Sequence, residues 1–111
     1  MDYQPLRLSQ AQIEQFQTDG FLIVENFLPA EFAQQLESRM EPLFHGEFET
    51  GLFPDEWHWR PGMSLPDITR EMCNAWKCDR TIASLVLSAE IGRLTATLAG
   101  WDGARIGQDS M

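Results

Sequence analysis

A helix followed by a strand is predicted by residues 8–24, which read Leu8-Ser9-Gln10-Ala11-Gln12-Ile13-Glu14-Gln15-Phe16-Gln17-Thr18-Asp19-Gly20-Phe21-Leu22-Ile23-Val24. Ser9 and Gln12 have the spacing of a capping box, so the helix is expected to begin near Gln10. Gly20 is placed to end it, because glycine adopts the left-handed conformation that closes many helices. The apolar run 21–24 then predicts a short strand that is buried on both faces inside a sheet.

A second amphipathic helix is predicted to begin at Pro29, which a first helical turn tolerates, and to continue through Phe44. Its inward positions are Phe32, Leu36, Met40 and Leu43, and its outward positions are Glu31, Gln35 and Arg39. Residues 45–66 lose this periodicity, because Gly, Pro and acidic residues alternate there with four aromatic side chains. A connection of this length is usually functional or mobile.

Three further helices are predicted in the second half of the chain. The first starts between Ser64 and Asp67 and places Ile68, Met72 and Trp76 on one stripe. Asp79 is expected to cap the next, with Ile82, Leu85 and Val86 facing inward, and Ser88 precedes the last, which carries Ile91, Leu94 and Leu98 up to Gly100. After a turn at Asp102-Gly103, residues 105–111 predict the beginning of a second strand.

Roughly five helices and two strands indicate an α+β fold. A sheet of two strands is only marginally stable, and the apolar stripes of the helices need a larger surface to lie on. We therefore expect further β-structure beyond Met111, so that residues 1–111 form the N-terminal portion of one domain.

Composition limits the partners of this chain. The 111 residues are 43% hydrophobic and 11% aromatic, enough for a core, and carry a formal net charge of −9. This charge repels phosphate backbones and anionic lipids, so neither nucleic acid nor a membrane is an expected partner. No apolar run of membrane-spanning length and no signal peptide is predicted, which favours a soluble cytoplasmic protein. Cys73 and Cys78 lack zinc-ligand spacing and are expected to be reduced structural thiols.

Two groups of candidate catalytic residues lie in the connection 45–66. His45-Gly46-Glu47 matches the H-x-D/E half of an iron-binding facial triad, with His58 as a third ligand. Exposed or hydrogen-bonding histidines are the favoured interpretation, because such ligands usually project from neighbouring strands. Paired acid–base carboxylates are a second formal match, and solvated side chains are again favoured. The acidic residues concerned are Glu47, Glu49, Asp55 and Glu56.

Aromatic and cationic side chains offer a third possibility. Trp57-His58-Trp59-Arg60 suits the entrance of a pocket for a flat or apolar substrate, although packing over the core is favoured. Lys77 and Arg80 lie near a helix junction and suit a small carboxylate, while pairing with Asp79 or Glu71 is an equal alternative. The sequence contains no GxGxxG, P-loop, GxSxG or HExxH motif.

The order of these pieces resembles the phytanoyl-CoA dioxygenase family. The resemblance is carried by residues 8–16 leading to Asp19-Gly20-Phe21-Leu22-Ile23-Val24 and by the later runs 82–87, 91–93, 98–101 and 104–109. It implies a double-stranded β-helix, or jelly-roll, that binds Fe(II) and 2-oxoglutarate and hydroxylates a small organic or lipid-like substrate with O₂. The iron ligands of this family, an H-x-D pair and a distal His, lie downstream of the last strand and cannot be placed on this chain.

The resemblance transfers two positions to this sequence. Arg80 corresponds to a basic residue near the cosubstrate, with Lys77 as a second candidate, and Gln108 lies on the strand that approaches the 2-oxoglutarate pocket. Without the iron ligands, the 111 residues alone are expected to be inactive. Residues 45–66 are a hypothetical lid. The alternative function is a non-enzymatic, acidic, mostly helical module that binds a protein partner through its Trp-rich loop and strand edge.

Overall fold

The computed structural model describes residues 6–111 and has an α+β architecture. The elements follow in the order α1 (Gln10–Asp19), α2 (Ala30–Phe44), β1 (Glu56–His58), β2 (Glu71–Cys73), a 3-10 helix (Ala75–Lys77), α3 (Arg80–Val86) and α4 (Ala89–Ala99). Helix α1 packs against α4, whereas α2 packs against α3 and α3 against the 3-10 helix.

Four helix ends predicted from local sequence are confirmed, whereas the helix start predicted at residues 64–67 is wrong. Ser9 and Gln12 form the reciprocal capping box of α1, and Gly20 closes the helix at φ 80°. The Asp79 side chain accepts a hydrogen bond from the Ile82 amide at the start of α3. Gly100 ends α4 at φ 73°. Each signal works because it satisfies backbone groups within four residues of itself.

The strand predicted at residues 21–24 is wrong. This segment has no regular secondary structure, and Phe21 and Ile23 are 58% and 74% exposed. An apolar run becomes a strand only where a neighbouring segment pairs with its backbone, and no described segment does so here.

Helix α2 has the predicted bounds, but the side chains of Met40 and Arg39 do not lie where the sequence predicted. Phe32, Leu36 and Leu43 are buried as expected, but Met40 is 41% exposed. Arg39, expected to face outward, instead donates through Nε to Oδ2 of Asp79 at 2.7 Å, and the Asp79 side chain is fully buried. The buried carboxylate draws the cation toward α3, because a buried charge needs a partner.

The sheet is built from residues that the periodicity assigned to a loop and a helix. Strands β1 and β2 are antiparallel, with Glu56 opposite Cys73 and His58 opposite Glu71. The helical stripe of Ile68, Met72 and Trp76 is therefore wrong. Asn74 adopts a left-handed conformation at φ 59°, which a continuous helix through this segment cannot contain.

Of the strand predicted at residues 105–111, only one isolated β-bridge, at Ser110, is formed. Ser110 pairs antiparallel with Cys73. Met111 and Met72 exchange two backbone hydrogen bonds of 3.0 and 3.1 Å, and the Asn74 amide donates to the Asp109 carbonyl at 3.0 Å. Strand β2 consequently lies between β1 and the segment 109–111.

The core lies between α2, α3, the 3-10 helix and one face of the sheet. Its buried members are Phe32, Leu36, Leu43, Phe44, Trp59, Met72, Ala75, Cys78 and Ile82. Trp57, Phe48 and Met111 pack against this group. The connection 45–66 thus contributes to the core rather than only covering it.

The described chain is elongated and leaves much apolar surface exposed. Its extents are 50 × 28 × 26 Å and its radius of gyration is 16.2 Å, against about 13 Å for a compact domain of this length. The exposed large apolar residues are Phe21, Ile23, Met40, Leu52, Phe53, Met63, Leu65, Ile68, Leu87, Trp101 and Ile106.

One stretch qualifies the expectation that no segment has membrane-spanning character. Residues Arg80–Ala99 are long and apolar enough to cross a membrane by length and composition alone. The stretch comprises α3 and α4, which are separated by Leu87 and Ser88. One such stretch is weak evidence, because core helices of soluble proteins satisfy the same criteria.

Candidate functional site

The sheet has one apolar and one polar face. Trp57, Met72 and Met111 belong to the face that packs on the core. The opposite surface, called the polar face below, carries the side chains of Glu56, His58, Glu71, Cys73, Gln108 and Ser110. This separation follows from the two-residue period of a strand, because alternate residues of β1, β2 and the C-terminal segment point the same way.

Cys73 lies at the centre of the polar face. Its Sγ is 3.4 Å from Oε2 of Glu56 and 3.7 Å from Oε1 of Glu71, and Nε2 of Gln108 donates to it at 3.3 Å. Burial and the two carboxylates raise the pKa of the Cys73 thiol. The thiol therefore serves as a hydrogen-bond donor to the two carboxylates.

His58 and Ser110 complete the hydrogen bonding of this face. Nε2 of His58 lies 3.1 Å from Oε2 of Glu56, and the His58 contact, together with the Cys73 thiol, lowers the pKa of that carboxyl. The Ser110 hydroxyl donates to Oε1 of Glu71 at 3.2 Å. The face carries carboxylate and amide groups, and its net charge is negative because its two carboxylates outnumber its one histidine.

Asn74 and Asp109 join the C-terminal segment to the 3-10 helix. The Asp109 carboxylate accepts from the backbone amides of Ala75 and Trp76, both at 3.1 Å. In return, the Asp109 amide donates to Oδ1 of Asn74 at 3.1 Å. These residues lie 35 positions apart in sequence.

Lys77 is occupied by an ion pair. Its Nζ lies 2.7 and 2.8 Å from the two carboxylate oxygens of Asp55, and Nδ2 of Asn74 donates to the same carboxylate at 2.5 Å. The hydrogen bond from Lys77, followed by that from Asn74, lowers the pKa of the Asp55 carboxyl. Of the two alternatives for Lys77, the structure shows pairing with an acidic residue, although with Asp55 instead of Asp79 or Glu71.

The three residues predicted to bind 2-oxoglutarate have separate partners. Lys77 binds Asp55, and Gln108 contacts Cys73. Arg80 is exposed at the first position of α3, where its backbone amide donates to the carboxylate of Glu49. None of the described contacts joins these three side chains into one pocket.

The residues proposed for a facial triad are not brought together. Nδ1 of His45 lies 2.8 Å from the Glu41 carbonyl, and its ring is 5.5 Å from that of Trp59. His58 instead pairs with Glu56. Within residues 6–111, no group of three His, Cys, Asp or Glu side chains has a geometry suited to a metal ion.

The Trp-rich loop is held to the core. Nε1 of Trp57 donates to the Phe44 carbonyl at 3.2 Å, and Nε1 of Trp59 donates to the Leu65 carbonyl at 3.0 Å. Arg60 lies 4.6 Å from the centroid of the Trp57 ring, and Arg70 lies 3.6 Å from that of Trp59. Packing over the core, the interpretation that the sequence favoured, is what the structure shows for Trp59 and in part for Trp57.

A groove of 710 Å³ lies between α4 and residues 101–107. Its walls include Ile91, Trp101 and Ile106, together with the polar residues Arg93 and Arg105. Arg93 is already engaged, because it binds Glu90 and the carbonyl of Leu6.

Cys73, Asn74 and Asp109 were not identified as site residues from the sequence. Their interactions join segments about 35 residues apart, so no local spacing reports them. The one local signal was Asn74 itself, since Asn is enriched among non-glycine residues with positive φ. Comparisons with protein-family models, with curated proteins and with solved structures found no match.

Proposed function

We propose that this chain forms the N-terminal part of a jelly-roll domain in an Fe(II)- and 2-oxoglutarate-dependent dioxygenase that hydroxylates a small organic or lipid-like substrate. The observation that carries the proposal is the polar face. Hydrogen-bonding side chains cover one side of a sheet whose other side packs on helices. This is the arrangement that a jelly-roll needs if its inner surface is to bind a polar ligand.

The resemblance to the phytanoyl-CoA dioxygenase family supports the same assignment. Gln108, which that resemblance places near 2-oxoglutarate, lies on the polar face, where its amide contacts Cys73. The carbonyl and amide of the Gln108 side chain suit hydrogen bonding to a carboxylate or an alcohol. Arg80, which is exposed, is a better candidate for binding the 2-oxoglutarate carboxylate than Lys77, because Asp55 neutralises Lys77.

Residues 6–111 do not provide a set of ligands that fits iron. We therefore assign no chemical step to this chain. Its proposed role is to hold the sheet that forms one wall of the ligand cavity, since catalytic groups must be fixed to within about half an ångström. The helices α2 and α3 supply the rigid support from the opposite face.

The proposal is tested by assaying the product of the longest reading frame that contains this sequence. We expect the codons after Met111 to encode an H-x-D pair and a distal His, and the protein to convert 2-oxoglutarate to succinate with Fe(II). The 111-residue chain, assayed in parallel, is expected to form no succinate. Succinate production by the 111 residues alone, or a stop codon directly after Met111 in a compact, cooperatively folded protein, would overturn the proposal.

A second candidate function is a protein-binding module, which the exposed apolar residues favour. The Trp-rich loop is not the proposed binding surface in this case, because Trp57 and Trp59 are engaged with the core. The exposed backbone edge of Ser110 and apolar side chains such as Ile106 remain accessible. A chain that stays monomeric at high concentration would favour this module, and self-association through the unpaired strand edge would favour the oxygenase fragment.

A further inference from the structure

The C-terminal segment 108–111 is attached to β2 by very few strand contacts. Only the Met72–Met111 and Asn74–Asp109 backbone hydrogen bonds pair it with the sheet within the described chain. A pairing this short specifies its register weakly, and a shift of one residue would turn every side chain to the other face. Met111 would then leave the core, and Gln108 and Ser110 would leave the polar face.

Asp109 supplies the contact that distinguishes this register from its neighbours. Its two carboxylate oxygens each accept one backbone amide, from Ala75 and from Trp76. Hydrogen bonds from amides to a carboxylate are stronger than those between neutral groups. A shifted strand would bring Gln108 or Ser110 to these amides, and neither side chain carries a charged pair of acceptors.

Asn74 also contributes to the register of segment 108–111, through a hydrogen bond with the backbone of Asp109. Its left-handed conformation turns the chain from β2 into the 3-10 helix, and its Oδ1 accepts the Asp109 amide. Its Nδ2 donates to Asp55, which also binds Lys77. The side chain therefore links three segments that are far apart in sequence.

We infer that Asp109 and Asn74 are positioning residues that fix the register of segment 108–111 on β2 and so present Gln108 and Ser110 on the polar face. The link from this register to ligand binding rests on the proposed function. The register itself does not, since it depends only on the contacts given above.

Disulfide trapping measures the register directly in the full 111-residue chain. Ser110 lies directly opposite Cys73 in an antiparallel bridge, so Ser110→Cys is expected to form a disulfide with Cys73 under mild oxidation. Met111→Cys, which points to the core face, is expected not to do so. Mass spectrometry of the linked peptides identifies the Cys73 pairing and excludes Cys78.

The substitution Asp109→Ala is then introduced into both trapping variants. We expect the ratio of the Cys73-linked disulfide at position 110 to that at position 111 to fall about tenfold, the factor associated with losing roughly 1.4 kcal/mol of hydrogen bonding. We also expect the disulfide of the Met111→Cys variant to become detectable. Asn74→Gly, which keeps the left-handed conformation but removes the side chain, is expected to act in the same direction.

Two controls separate register from unfolding. Asp67→Ala removes an exposed carboxylate that makes none of the contacts of segment 108–111, and it is expected to leave the trapping ratio of the two variants unchanged. Circular dichroism establishes that the Asp109→Ala chain retains its helices. If a folded Asp109→Ala chain and a folded Asn74→Gly chain both keep the parent's ratio of the two disulfides, the inference is wrong. The assay contains no iron or 2-oxoglutarate, so its outcome is independent of the oxygenase assay.

Discussion

Asp79 is the one fully buried acidic residue among the described positions, and it has two roles. Its Oδ2 accepts from Arg39, and its Oδ1 accepts from the amide of Ile82 at 3.0 Å. No buried side-chain nitrogen or oxygen in residues 6–111 lacks a hydrogen-bond partner. The carboxylate is thus both the cap of α3 and the link between α3 and α2.

Replacing Asp79 by Ala is expected to lower the free energy of unfolding by about 3 kcal/mol, because the change removes a cap and leaves Arg39 partly buried without its anion. Urea denaturation measures the difference. Asp67→Ala, at an exposed acidic residue, is the matched control and should change stability by less than about 0.5 kcal/mol. Equal effects of the two substitutions would contradict a structural role for the buried pair.

The Asp55–Lys77 pair gives a prediction for pH dependence. Because the pKa of Asp55 is lowered, the folded chain binds this proton less readily than the unfolded chain does. The stabilisation is therefore present above the unfolded value of about 3.9 and is lost as the pH falls through the lowered pKa. Lys77→Met should raise the pKa of Asp55 toward its ordinary value, which a carbon-13 NMR titration of the carboxyl group measures.

Lys77→Arg is the control for that titration, since it keeps the cation and should keep the pKa of Asp55 low. The hydrogen bond from Asn74 preserves part of the shift in both variants. An Asp55 pKa that is the same in the Met variant and in the parent would show that the ion pair does not form in solution.

Two glycines, one at the end of α1 and one after α4, differ in backbone conformation and can be compared directly. Gly20 closes α1 at φ 80°, whereas Gly103 lies in the turn after α4 without a positive φ. At both positions a Cβ atom would meet no atom within 4 Å. Any difference between alanine substitutions therefore reports backbone conformation and not packing.

Gly20→Ala is expected to destabilise the chain by about 1 kcal/mol, because alanine is strained in the left-handed region. Gly103→Ala is expected to be neutral or slightly stabilising, since alanine reduces the conformational freedom of the unfolded chain. Thermal unfolding followed by circular dichroism compares the two. A larger loss for Gly103→Ala than for Gly20→Ala would show that α1 does not end in this way.

The helices could be predicted from the sequence because their signals are local. Ser9, Asp79 and Gly100 act on backbone groups one turn away, and their spacing alone places three helix ends. Strands β1 and β2 could not be predicted, because β2 owes its conformation to pairing with β1 and with segment 109–111. The apolar run at residues 21–24 shows the converse, since strand propensity without a partner produced no strand.

For the whole molecule, the exposed apolar surface predicts concentration-dependent self-association of the 111-residue chain. Phe21 and Ile23 are the expected contributors near the start of the chain, because both are more than half exposed. Replacing both by Ser should reduce association, measured by size-exclusion chromatography with light scattering, at little cost in unfolding free energy. Unchanged association, or strict monomers of the parent at high concentration, would contradict this prediction.

The contacts of the candidate site could be predicted from the sequence only in part. The proposed 2-oxoglutarate role of Gln108 came from the family resemblance and stays a prediction, whereas Lys77 is neutralised by Asp55. A spacing rule can detect a cation near a helix junction. It cannot detect an acidic residue 22 positions away that folds back onto that cation.

The position of Arg105 has a consequence for limited proteolysis. This arginine is exposed and lies outside the regular elements, so trypsin is expected to cleave after it and to cut the covalent link to residues 106–111. Because only a few hydrogen bonds of Asp109 and Met111 tie this peptide to β2 and the neighbouring turn, the nicked protein should release it. A fluorescently labelled synthetic copy would then rebind in the same position only at high concentration, and its affinity would measure how firmly β2 holds residues 106–111 without the covalent link.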